Sequence, residues 1–130
     1  MTDPPREAPM KVTEKTFRAA LPALMLCRKA GAVKTGVGAA LDAVRNASGK
    51  PAAVILASDA SERTKKQVGD KCSFYSVPLF ETETTAEELG ELLGSRSLCA
   101  AAAVMKRGPY ESLIRAFELP EEDNGQNGRM

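Results

Sequence analysis

The chain has 130 residues, the length of one domain, and near this size roughly two-thirds of the unfolded surface is hidden on folding. Hydrophobic residues make up 43%, aromatics only 5%, and Trp is absent, so Ala, Leu and Val must fill the core. With 18 basic and 17 acidic residues the net charge is +1, which excludes a uniformly basic surface and requires any nucleic-acid-binding charge to be local.

Residues 1–12 (MTDPPREAPMKV) and 119–130 (LPEEDNGQNGRM) are polar, carry Pro or Gly and lack periodicity. They read as flexible tails flanking a single domain over residues 13–118. Leu21, Leu24 and Met25, followed by Arg28 and Lys29, predict a helix closed by Gly31. Pro22 is expected in its first turn, with residues such as Phe17 and Ala20 kinked away. Val37, Ala40, Leu41 and Val44 fall on one apolar stripe. That second helix has Thr35 as its expected N-cap and Ser48-Gly49 as its stop, with Gly38, Asp42 and Arg45 on the opposite face.

The apolar run at residues 52–57 (AAVILA) predicts a strand covered on both sides. Asp59 three residues before Glu62 reads as a capping box, opening a basic helix over residues 60–75 that carries Arg63, Lys65, Lys66 and Lys71. Its inward residues are Val68, Cys72 and Tyr75. Residues 77–80 (VPLF) predict a second strand. Thr85 and Glu88 form another capping box, before a helix with Leu89, Leu92 and Leu93 that ends at Gly94. Residues 98–105 (LCAAAAVM) have helical propensity, but their shortness and position between two helical patterns predict a buried strand. Pro109 starts a last helix, with Tyr110, Leu113, Ile114 and Phe117 inward. Helices and strands in alternation predict an α/β fold, a central sheet between helical layers.

Catalytic equipment is missing. His is absent, which removes the commonest general base, nucleophile partner and metal ligand. Cys27, Cys72 and Cys99 are odd in number and form no CxxC pair, and read as buried packing residues in a reduced cytoplasm, not as a disulfide framework or metal site. Residues 31–38 (GAVKTGVG) lack the phosphate-loop order. Glu81, Glu83, Glu87, Glu88 and Glu91 cluster around a helix start, where they suit its dipole. No apolar run is long enough to span a membrane. The reading is a cytoplasmic non-enzyme with no cofactor.

Three segments, residues 24–41 (LMLCRKAGAVKTGVGAAL), 54–72 (VILASDASERTKKQVGDKC) and 77–100 (VPLFETETTAEELGELLGSRSLCA), together resemble the kink-turn-binding ribosomal-protein superfamily. That superfamily includes archaeal large-subunit protein seven-Ae and eukaryotic thirty-e. The "ASDAS…TKK…DKC…VPL…ELG…G" string is most similar to the small bacterial branch called YlxQ. The resemblance implies a three-layer α/β/α sandwich with a mixed four-stranded sheet, acting as a monomer on structured, kink-turn-like or ribosomal RNA. It places the RNA contacts at Lys34, Thr35, Gly36, Val37 and Gly38, at Ser58 and Asp59, and at Arg96, Leu98, Cys99 and Ala100. Lys65 and Lys66 are further candidates for backbone contact.

The family signature at the second helix reads Gly-x-Asn-Glu-x-x-Lys. Here Gly36 is kept, but the Asn, Glu and Lys positions are Gly38, Ala39 and Asp42. Gly and Ala cannot hydrogen-bond base edges, and an acid repels phosphate. A protein-interaction module on the same fold is therefore the alternative reading.

Overall fold

The computed structural model describes residues 9–46 and 49–118. In chain order the elements are β1 (Met10–Val12), α1 (Glu14–Lys29), β2 (Val33–Thr35), α2 (Val37–Arg45) and β3 (Ala53–Leu56). Then follow α3 (Glu62–Tyr75), β4 (Leu79–Thr82), α4 (Ala86–Leu93), β5 (Ala101–Val104) and α5 (Tyr110–Glu118). The strands form one mixed sheet in the order β1-β4-β3-β5-β2. β1, β4 and β3 run parallel, and β5 runs antiparallel to both β3 and β2.

Side-chain alternation along the central strand separates two hydrophobic layers. Ala53, Ile55 and Ala57 face the helices α1, α4 and α5, packing with Phe17, Leu24, Leu89, Leu113 and Phe117. Val54 and Leu56 face α2 and α3, packing with Ala40, Val44, Val68 and Cys72. Phe117 anchors the first layer, with ring centroids 5.0 Å from Phe80 and 6.2 Å from Phe17. Ala101, Ala102 and Ala103 are fully enclosed in β5. Ala is a poor strand former, so burial between two helical layers decides this segment, and small side chains let α2 approach closely.

The three-layer α/β/α sandwich expected from the sequence is therefore present, but its sheet has five strands, not four. β1 and β2 are edge strands of three residues each, too short to show a period of two. β1 lies within the segment read as a tail. It is held by pairing of Met10, Lys11 and Val12 with Phe80, Glu81 and Thr82, and by a Lys11–Glu81 ion pair at 3.0 Å. Residues 1–8 and 119–130, the remainder of the expected tails, lie outside the described residues, as does Ser48.

Further corrections concern helix starts. α1 begins eight residues before Pro22 and is continuous through it, because Thr13 caps it and Phe17, Ala20, Leu24 and Cys27 form an unbroken buried stripe. Pro22 lies on the exposed face, where the carbonyl left without a donor can turn to water. Thr35 is the last residue of β2, and the N-cap of α2 is Gly36. α3 is capped by Ser61, whose Oγ accepts from the Thr64 N–H at 3.1 Å, while Asp59 is engaged elsewhere. Pro109 lies just ahead of α5, its carbonyl accepting from Leu113. The Thr85–Glu88 capping box of α4 is present as expected. No helix among the described residues is long and apolar enough to cross a membrane.

Candidate nucleic-acid interface

Because β5 runs against its neighbours, its first residue lies beside the last residues of β2 and β3: Thr35 pairs with Ala102 and Leu56 with Ala101. The ends of β2, β3 and β4 and the start of β5 thus share one edge of the sheet, from which α2, α3 and α4 depart. Hydrogen bonds knit this edge together. The Gly36 N–H donates to Ala101 O at 2.9 Å, Ala57 to Ala100 at 2.8 Å, Ser58 to Thr84 at 2.8 Å, and Cys99 to Ala86 at 3.0 Å. The buried Thr82 hydroxyl donates to Leu56 O at 3.1 Å and accepts from the Thr84 N–H at 3.2 Å.

The start of α2 differs from the starts of α1, α3 and α4. Those three are capped by hydroxyls of Thr13, Ser61 and Thr85, whereas Gly36 supplies no side-chain cap. The N–H groups of the first turn, at Val37, Gly38 and Ala39, point from the positive end of the helix dipole, an arrangement that suits an anion. Gly36 has φ +104°, a conformation that a residue with a Cβ rarely adopts. A Cβ built on Gly38 would meet nothing within 4 Å, so the space above it is open. Asp42 is exposed and paired with Arg45 on the same helix, which offsets part of its charge.

The loop after α4 supplies the neighbouring wall. Gly94, with φ +74°, turns the chain out of the helix, and the Arg28 guanidinium donates to Leu92 O at 2.9 Å. Gly90 is buried, and a Cβ there would lie 2.6 Å from Ser97 O. The loop backbone therefore rests directly on α4. Arg96 and Ser97 are exposed, and Leu98 is 69% exposed, an isolated aliphatic side chain beside polar groups. Cys99 turns inward and is fully buried. Burial pushes its thiol pKa up, opposed by backbone hydrogen bonds with Gly36 and Ala101.

The residues proposed from the sequence thus fall into three groups. Lys34, Thr35, Gly36, Val37 and Gly38, Ser58 and Asp59, and Arg96, Leu98 and Ala100 share this edge. Cys99 lies in it, but only its backbone is available, and its side chain ties the loop to α2. Of the lysines, Lys65 is half-buried beside Ser58, in a hollow of about 250 Å³ also lined by Lys11, Thr13, Glu81 and Glu83. Lys66 is paired with Asp70 at 3.1 Å instead. Gly90 and Arg28 were not foreseen as site-shaping residues. Their signals, a glycine inside a helical pattern and an arginine in a last helical turn, both have bland local explanations. Among the described residues no cluster of His, Cys, Asp or Glu could hold a metal ion.

Comparison with known proteins adds the lineage. The chain is 37% identical over 97 residues to the RNA-binding protein YlxQ of Bacillus subtilis, covering 75% of this chain and 93% of that protein. It is 45% identical over 62 residues to the RNA-binding protein YlxQ of Enterococcus faecium, covering 48% of this chain and 58% of that protein. The Giardia lamblia 15.5kD RNA binding protein superposes with a TM-score of 0.67 at 21% identity, over 88% of this chain and 94% of that one, a likeness of fold. Residues 18–114, which run from α1 into α5 and include every residue of the edge, match one family model, and the chain belongs to the Ribosomal protein L7Ae/L30e/S12e/Gadd45 family.

Proposed function

We propose that this protein binds structured, kink-turn-like RNA, ribosomal RNA included, as a cytoplasmic monomer and without catalysing a reaction. The observation that carries the reading is the uncapped start of α2, held at Gly36 against β5 and next to the exposed Arg96–Leu98 loop. Phosphate oxygens would accept from the N–H groups of Val37, Gly38 and Ala39, with Lys34 adding charge. An unstacked base would lie on Leu98, with Arg96 stacking on it or pairing with its phosphate. Since Gly38 and Ala39 offer no side chain that reads a base edge, recognition would rest on RNA shape and backbone.

Membership of a ribosomal-protein family, two relatives named as RNA-binding proteins, and a third such protein with the same fold support this reading. The chain also has no His, and its three thiols are buried with raised pKa values, so neither an imidazole base nor an exposed thiolate is on hand. Gel-shift titration against a kink-turn RNA and a stem-mutated control, at about 0.15 M salt, tests it. Tighter binding to the kink-turn RNA is expected. Equal, weak binding to both would refute it and leave a protein-interaction module as the better reading.

A further inference from the structure

The last turn of α3 carries an aromatic pair that the sheet-edge interface does not use. Phe74 is 71% exposed, and its ring meets that of Tyr75 edge-on, with centroids 4.9 Å apart. Lys50 sits 5.5 Å from the Tyr75 ring centroid and donates to the Tyr75 carbonyl at 3.3 Å. Lys71 lies alongside, with no ion pair among the described residues. Together with Gln67 and Asp70, Lys71 and the two rings line an open hollow of about 610 Å³.

We propose that this hollow is a second RNA contact, in which a single-stranded nucleotide stacks on Phe74 while Lys50 and Lys71 face its phosphates. It rests on the RNA-binding reading above and extends it to unpaired RNA flanking the structured element. The site lies about 20 Å from the start of α3, by the rise of a 14-residue helix. Arg63, Gln67 and Phe74 recur on one outward face of that helix, and the Asp70 carboxylate between them is paired with Lys66 at 3.1 Å, which offsets its charge. Exposed aromatic rings flanked by cations hold single-stranded nucleic acid with little sequence preference, since every base has a stacking face.

The surroundings favour RNA over a protein partner. The other exposed large hydrophobic residues, Met10, Leu26 and Leu98, lie on other elements, so Phe74 is the large apolar residue of its patch among the described residues. A stable protein interface needs about 800 Å² per partner with an apolar centre.

Fluorescence anisotropy with the full chain provides the test, using a single-stranded uridine oligomer of about twelve nucleotides and a blunt-ended kink-turn RNA. Phe74→Ala should weaken binding of the oligomer about tenfold, and Phe74→Trp should restore it. Neither variant should change affinity for the blunt RNA. Phe74-dependent oligomer binding without any kink-turn binding would sustain this site and refute the structured-RNA reading. Oligomer affinity unchanged by Phe74→Ala would overturn the site. So would a dimer, seen by sedimentation, that Phe74→Ala dissociates, because the ring would then serve a second copy of the chain. Phe74 is exposed, so the variants should fold, as circular dichroism would verify.

Discussion

The Asp59 carboxylate accepts a hydrogen bond from the Ala86 backbone N–H at 2.8 Å, joining the loop after β3 to the first residue of α4. The sequence assigns this aspartate to the start of its own helix, yet Ser61 fills that role and Asp59 serves a helix 27 residues away. The Cys99 backbone N–H donates to the carbonyl of the same Ala86. Asp59 thus braces the edge from which α4 and the Arg96–Leu98 loop depart.

Asp59→Ala should therefore cost about 1 kcal/mol, the usual value of a lost helix cap, and lower the melting temperature by about 4 °C for a domain of this size. Asp59→Asn keeps an acceptor oxygen and should lose less than half of that. Thermal denaturation of the three proteins measures the difference.

Gly90→Ala tests how the loop is supported. The added methyl would lie 2.6 Å from the Ser97 carbonyl, so either the loop lifts or α4 shifts. RNA affinity should fall by about tenfold or more while circular dichroism retains the helical signal. Unchanged affinity would mean that the loop takes no part in binding.

The departures at Gly38, Ala39 and Asp42 can be reversed. Space above Gly38 is open, and Asp42 is on the surface, so Gly38→Asn, Ala39→Glu and Asp42→Lys together should fold. Each restored base contact contributes roughly 1–3 kcal/mol of discrimination. The triple variant should therefore prefer a kink-turn RNA over its stem-mutated control by at least about tenfold more than the parent does. Competition gel shifts report the ratio.

Much of the fold was legible from four local patterns. α2 showed as an apolar stripe, α4 as the Thr85–Glu88 box, β3 as a continuous apolar run, and β5 as a short apolar run between two helical patterns. β1 and β2 were not legible, since three-residue edge strands are defined by what Phe80 to Thr82 and Ala102 to Val104 offer them, not by their own pattern. Pro22 misled for a related reason: a local rule about proline lost to the tertiary stripe that runs past it. At the site, the sequence placed Gly36 at the start of a helix, Ser58 after a strand and Leu98 inside a predicted buried strand, but β5 begins only at Ala101 and Leu98 is exposed ahead of it. Only the antiparallel course of β5 brings these three positions to one edge. The supports from Asp59, Gly90 and Arg28 are long-range contacts with no local signature.

Burial pushes the Cys72 thiol from 9.0 up to about 12. The folded-state value lies above the unfolded one, so the stability contributed by the protonated thiol is fully present below pH 9 and is lost as pH rises towards about 12. The loss is roughly 1.4 kcal/mol per pH unit in that window, and Cys27 and Cys99, shifted in the same direction, add to it. Urea unfolding at a series of alkaline pH values should show this decline. Cys72→Ala should be less stable near neutrality but decline less steeply.

Backbone amide chemical shifts of the nitrogen-15-labelled protein, followed during titration with a kink-turn RNA, test the assignment of the sheet edge most directly. The expected result is that the largest changes fall on Thr35 to Ala39, on Ser58 and on Arg96 to Ala100, with the amides of Val37, Gly38 and Ala39 moving as phosphate acceptors reach them. Saturable binding that leaves those amides unmoved, with the changes gathered on another face, would contradict it.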